Sequence, residues 1–227
     1  MLEIGTSIGL KPTLLEVAPH FERSTGHEVN FTFATAAPLK RRIDAGESFD
    51  IVILMPQLID DLVAKGKIES GTQRVIGRSS IRVAIAKGAP KPDIGTKQAL
   101  TDSLLKARAI AYSKEGQAGP MMARLIKSLG IGSQMGPKTI LETRPAGVAL
   151  NVVEGKADLA FTVLCEILPV PGAEAVGPLP DELNTYVYFA GGICAGVRHR
   201  HMASAFLDFL ETPAARAALE ANGIEPR

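Results

Sequence analysis

A chain of 227 residues, 46% of them hydrophobic and 22% charged, carries enough apolar material for one large domain or two modest lobes. Its 25 basic and 24 acidic residues leave a formal charge of +1, which excludes a general nucleic-acid binder, since neutralising phosphates takes a strong positive excess. No apolar run approaches the roughly 20 residues of a membrane-spanning helix, and two cysteines are too few for a disulfide scaffold.

Short β-rich runs alternate with longer amphipathic stretches. The first strand is predicted at Leu2–Ser7, followed by a helix over 12–24 with Leu14, Leu15, Ala18 and Phe21 on one face and Gly26 as its stop signal. Strands at 28–34 and Ile51–Leu54 alternate with helices at 38–45 and 57–65. The same β-α-β-α pattern starts afresh after Ser80, with strands at 81–86, 109–112 and 159–164 and helices at 118–129 and 146–154. Residues 169–180, rich in proline and glycine, read as a surface excursion. A strand at 185–194 and helices at 202–210 and 213–222 close the chain. Helices of this length between strands predict an α/β chain of two similar lobes, each a mixed, mostly parallel sheet flanked by helices. Cys165 and Cys194 lie in apolar segments and read as buried thiols, with a bridge between them left open. Met1-Leu2-Glu3-Ile4 has neither a basic n-region nor an apolar h-region, so a periplasmic location requires that a leader was removed; the alternative is the cytoplasm.

The common catalytic and nucleotide motifs are missing from the string. It has no G-x-x-x-x-G-K-[ST] loop, no G-x-G-x-x-G after the first strand, no H-E-x-x-H and no G-x-S-x-G. His20, His27, His199 and His201 do not cluster as zinc ligands would, and neither cofactor nor metal is expected. The basic runs Lys40-Arg41-Arg42 and Arg198 to His201 read as solvated faces. What recurs is a small-residue loop between a strand end and a helix start. These loops are Thr6-Ser7-Ile8-Gly9, Thr35-Ala36-Ala37, Gly116-Gln117-Ala118-Gly119 and Arg144-Pro145-Ala146-Gly147. Backbone N–H groups and the positive end of a helix dipole converge in such loops, which makes them anion sites without a charged side chain.

The run Leu14-Leu15-Glu16-Val17-Ala18-Pro19-His20-Phe21 through Val29, the continuation Phe33-Ala34-Thr35-Ala36-Ala37-Pro38-Leu39 through Ile43, and Gly46-Glu47-Ser48-Phe49-Asp50-Ile51 resemble type II periplasmic solute-binding proteins, in particular their molybdate-binding branch. The closing stretch, Ala205-Phe206-Leu207-Asp208-Phe209-Leu210 to Gly223-Ile224, is similar to that family's last helices, so the likeness covers nearly the whole chain. The resemblance implies a type II binding-protein fold with a ligand cleft between the lobes. It implies a first lobe of residues 1–79 plus 193–227 and a second of 80–192, with crossovers near 78–82 and 186–192. It also implies hinge closure over a small anion, ABC permease subunits as partners, and a monomer.

Carried over residue by residue, the family's ligand positions fall on Ser7, Ile8, Gly9, Thr35, Ala36, Ala37, Gln117, Ala118, Gly119, Ala146, Gly147 and Val163. The family's serine falls on Gly9, paired hydroxyls become Thr35-Ala36, and its late tyrosine becomes Val163. A buried oxygen left without a donor costs about 1–3 kcal/mol, so these losses argue against molybdate. Arg144, at the head of the fourth loop, and Arg78, at the first crossover, carry guanidiniums able to grip a carboxylate through two parallel bonds, which favours an organic acid. The competing class is an enzyme resembling aconitate isomerase on the same scaffold, shifting a double bond by proton transfer. Lys114 and Glu115 are its candidate bases. A regulator's effector domain is the third class, but no helix-turn-helix segment is to spare.

Overall fold

The computed structural model describes residues 1–115, 118–144 and 146–227. In chain order its elements begin with β1 (Leu2–Ser7), α1 (Lys11–Thr25), β2 (Val29–Ala34), α2 (Ala36–Asp44), β3 (Ile51–Leu54), α3 (Pro56–Ala64) and β4 (Arg74–Ala86). They continue with α4 (Lys97–Lys106), β5 (Ile110–Ser113), α5 (Ala118–Ser128), α6 (Gly132–Met135), β6 (Thr139–Glu142), α7 (Leu150–Val153), β7 (Leu159–Val163) and α8 (Leu164–Ile167). The last are β8 (Ala173–Pro178), β9 (Tyr186–Ile193), α9 (Arg200–Phe209), α10 (Pro213–Ala221) and β10 (Glu225–Pro226). The chain forms two compact units, Met1–Arg78 with Tyr188–Arg227, and Ser79–Val187. Strands β4 and β9 each run from one unit into the other.

In the first unit, β2, β1 and β3 are parallel, with Ser7 opposite Ala34 and Thr6 opposite Ile53, so three strand ends share one edge. Strand β9 pairs antiparallel to β3, from Ala190 to Ile193. Alternation along β3 sends Val52 and Leu54 into a cluster with Leu39 and Ile43 of α2 and Ile59 and Leu62 of α3. Helix α1 buries Leu14, Val17, Ala18 and Phe21 at helical spacing. Phe21 meets the Phe206 ring edge-on at 5.1 Å, an arrangement that aligns its positive edge with the partner's negative face. Gly26 ends α1 in the left-handed region (φ 71°) and donates its N–H to the Glu22 carbonyl at 2.8 Å.

In the second unit, β7, β5 and β6 are parallel, with Tyr112 opposite Phe161 and Ser113 opposite Glu142. Strand β4 runs antiparallel to both β7 and β8. Ala84, Ala111 and Ala160 on adjacent strands pack with Val148, Ala149, Val152 and Ile167 in one apolar cluster. The small strand residues let the loop before α7 lie close to the sheet.

This is the predicted α/β architecture with mixed, mostly parallel sheets, with several local differences. Strand β6 and helix α4 were not read from the sequence; Leu141 is exposed, so alternation along Thr139–Glu142 is weak. The 169–180 stretch is not only a surface excursion, because Ala173–Pro178 pairs along β4. The helix predicted over 146–154 is confined to Leu150–Val153. Its first turn is replaced by an irregular loop in which Ala146, at φ 53°, is the one non-glycine described residue in the left-handed region.

Candidate functional site

At the strand-end edge of the first unit, Ser7 and Thr35 both stand where a helix-capping residue belongs. Ser7 precedes a short 3-10 turn (Ile8–Leu10) that leads into α1, and Thr35 precedes α2, with extended backbones (ψ 138° and 151°). Neither side chain makes the capping bond. Serine and threonine at such positions ordinarily accept from a backbone N–H two or three residues on, so both hydroxyls remain unspent. The neighbouring Thr6 and Thr13 are fully buried, and their Oγ1 atoms also lack a partner among the described residues. Buried hydroxyls without partners are rare in native folds.

The first turn of α2 is Ala36-Ala37-Pro38, and that of α5 is Ala118-Gly119-Pro120. In each, two small residues present N–H groups that have no partner within the helix, and a proline at the third place needs none. Gly119 is a steric requirement: a Cβ there would stand 2.1 Å from the Ser113 carbonyl oxygen. This close approach seats the start of α5 on the end of β5. Gln117 of the same loop lies outside the described residues. Ile8 is half-buried and Gly9 buried behind Ser7.

The fourth loop is organised by Glu142, which the sequence reading did not single out. The last residue of β6, it is 7% exposed. Its Oε1 accepts the backbone N–H groups of Thr143 (2.9 Å) and Arg144 (2.8 Å), and its Oε2 accepts from the Arg144 guanidinium (2.7 Å) and the buried Asn151 amide (2.8 Å). Asn151 also donates to the Gly147 and Val148 carbonyls. The Arg144 guanidinium, backed by these N–H and amide donors, holds the Glu142 carboxyl at about 2, against an ordinary 4.5. Gly147 completes the turn, since a Cβ there would lie 2.6 Å from that of Arg144. The left-handed backbone of Ala146 keeps the chain off a helical path there, so the predicted helix starts late, at Leu150. A glutamate closing a strand two residues before an arginine was the available signal.

Arg144 is correspondingly engaged. It holds Glu142 and also Glu154 (Nη1 to Oε1, 2.9 Å), so its bidentate capacity is turned toward its own unit. Arg78 pairs with Glu225 at 2.8 Å on the first unit. Both guanidiniums expected to meet a ligand carboxylate therefore have internal carboxylate partners. Lys114 and Glu115 are exposed just after β5.

Val163 is buried at the end of β7 and leads into α8. One turn on, the half-buried Glu166 accepts from the Thr162 hydroxyl at 2.6 Å; desolvation pushes its carboxyl's pKa upward. The sequence offered only an acidic residue after an apolar strand. Cys165, beside it, and Cys194 are free and buried, and burial raises both thiols, Cys194 to about 12. Among the described residues, no cluster of histidine, cysteine or acidic side chains could hold a metal. No described helix is long and apolar enough to cross a membrane.

The model of the bacterial extracellular solute-binding proteins matches residues 2–225. The chain belongs to this family. It is 31% identical to an aconitate isomerase from Pseudomonas sp. over 99% of its own length and 87% of that protein's. It is 23% identical to the molybdate-binding protein ModA of Escherichia coli, with 98% and 88% covered. The structure of the periplasmic molybdate-binding protein of Azotobacter vinelandii superposes with a TM-score of 0.81 at 20% identity, covering 99% of this chain and 98% of that one. The fold of this solute-binding protein is thus the type II periplasmic binding fold expected from the sequence.

Proposed function

We propose that this solute-binding protein captures a small di- or tricarboxylate between its two units, closes over it, and delivers it to the permease of an ABC-type importer. The observation that carries the reading is the unspent donor set at the strand ends. It comprises the Ser7 and Thr35 hydroxyls and the first-turn N–H groups of α2 and α5; in this reading Ile8, Gly9, Ala146, Gly147 and Val163 are further walls. Helix N-termini and hydroxyls suit an anion held without a full counter-charge. Loss of hydroxyls at Gly9, Ala36 and Val163 supports a carboxylate over a tetrahedral metal oxyanion, as does the identity with a protein named for aconitate. In this reading the protein works as a monomer in the periplasm, and closure is a hinge motion at β4 and β9.

Thermal unfolding with cis-aconitate, trans-aconitate, citrate, molybdate and sulfate tests this. At about a hundredfold excess over Kd, a true ligand adds about 2.7 kcal/mol, or roughly 5–10 °C for a chain of this size. A shift with a carboxylate is the expected result; a shift with molybdate alone removes the carboxylate reading.

A second reading has its own support. The half-buried Glu166 carboxyl, whose pKa desolvation raises, is the kind of group that can hold and return a proton. An isomerase would take a proton from the methylene carbon of cis-aconitate and return one to the far alkene carbon as the double bond moves. This leaves the oxidation level unchanged. In the same samples, proton NMR would show the trans isomer accumulating; no turnover in carboxylate-stabilised protein leaves binding as the whole activity.

A further inference from the structure

Far along the sequence from the strand-end loops, the first unit carries a second concave surface. Gln73, Arg74, Val75 and Ile76 of the chain entering β4, Leu210 and Glu211 after α9, Arg216 of α10, and Pro226 and Arg227 line a cavity of about 370 Å³. Every lining residue belongs to the same compact unit. Three of them are arginines brought together from positions 74, 216 and 227. None of their guanidiniums forms a hydrogen bond or ion pair with a described residue, although Arg78 nearby is paired with Glu225. The one acidic side chain in the lining, Glu211, is exposed and is also unpaired among the described residues.

Three like charges from remote segments around one hollow repel each other, and their mutual repulsion is relieved when an anion sits among them. Arg74 and Arg216 are half-buried, so they are more weakly solvated than ordinary surface arginines. A guanidinium presents a planar fork of donors that matches phosphate or carboxylate oxygens. The volume lies in the range of small-molecule sites. Across the C-terminal strand a second hollow of about 440 Å³ shares Val75, Pro226 and Arg227 and adds Tyr188 and the Arg78–Glu225 pair, so there is room for more than a bare ion.

We propose that this arginine-lined cavity is a second anion site, for a small polyanion carrying phosphate or several carboxylate groups. It is independent of the strand-end site: no residue is shared. Arg78 and Tyr188, which line the adjoining second hollow, are the residues at which the chain leaves and re-enters the first unit. An occupant is therefore positioned to stiffen both crossings, and thermodynamic linkage then couples it to any ligand that drives hinge closure.

The test is calorimetric titration with inorganic pyrophosphate and, separately, citrate at low salt, on a Ser7→Ala/Thr35→Ala chain that silences the strand-end loops. The expected result is a binding event that weakens about tenfold or more in the Arg74→Gln/Arg216→Gln background, as loss of two charge-assisted contacts requires. Pyrophosphate alone binding assigns a phosphorylated ligand, and citrate alone a polycarboxylate; either supports the site. Arg227→Gln, at an exposed position, provides a variant that leaves the fold intact and should weaken binding severalfold. The proposal is overturned if neither anion binds, or if binding is unchanged in both arginine variants.

Discussion

Replacing Ser7 and Thr35 together with alanine should weaken carboxylate binding by about 10²–10⁴-fold while leaving the unfolding midpoint almost unchanged. Hydrogen bonds to a charged partner contribute roughly 1.5–3 kcal/mol each, and two are removed. Capping serines and threonines usually stabilise their helices by about 0.5–2 kcal/mol, but these two make no capping bond, so folding has little to lose. The two hydroxyls stand at the ends of adjacent parallel strands, with Ser7 opposite Ala34 and Thr35 next in line. A ligand that reaches one therefore reaches the other. Calorimetry on the variant, read beside its thermal unfolding, checks both halves. Full affinity in the variant would exclude these hydroxyls as ligand donors, whereas a large drop in stability would recast them as structural.

Glu142→Ala should destabilise the chain by about 1–3 kcal/mol, because it removes one acceptor of the buried Asn151 amide and the acceptor of two backbone N–H groups at once. The same carboxylate makes stability depend on acid. Its pKa in the folded chain is about 2, below an ordinary 4.5, so the unfolded chain binds its proton first as pH falls. The stabilisation is fully present above about 4.5 and drains away as pH falls toward about 2. Arg144 is partly exposed, so solvent screens its share, and the buried Asn151 amide and the N–H donors add to it. Urea unfolding at a series of pH values should show a slope in this window that Glu142→Gln flattens. An unchanged slope in that variant would mean that other carboxylates govern the acid limb.

Much of the fold is legible in the residue order. Leu14, Ala18 and Phe21 announce α1 by their spacing, although Leu15, expected on the same face, is exposed and Val17 is buried instead; Gly26 announces its end, and Ile51–Leu54 is an unbroken apolar run such as a strand buried on both faces requires. The start of α7 differs because helical periodicity continues through 146–154, while Ala146 takes a left-handed backbone (φ 53°) and the Gly147 and Val148 carbonyls accept from the N–H groups only three residues on. Strand β8 escaped notice because proline and glycine around it resemble a loop, and its partner, β4, lies some ninety residues earlier. The strand-end loops were found because small residues before a helix leave a local signature. The arginine cavity left none, since positions 74, 216 and 227 are neighbours only after folding.

Local chemistry along the chain thus determined the alternation of strands and helices, the capping positions Ser7 and Thr35, and the small-residue starts of α2 and α5. Those depend on interactions within a few residues, which a sequence displays directly. Tertiary structure alone decided that Arg144 is bound to Glu142 and Glu154, that Ser7 and Thr35 make no cap, and that Arg74, Arg216 and Arg227 find no partner among the described residues. Which charges are neutralised and which hydroxyls stay free depends on what distant segments bring alongside. In a chain with nearly balanced charges, that spatial pairing settles where an anion finds donors to meet it.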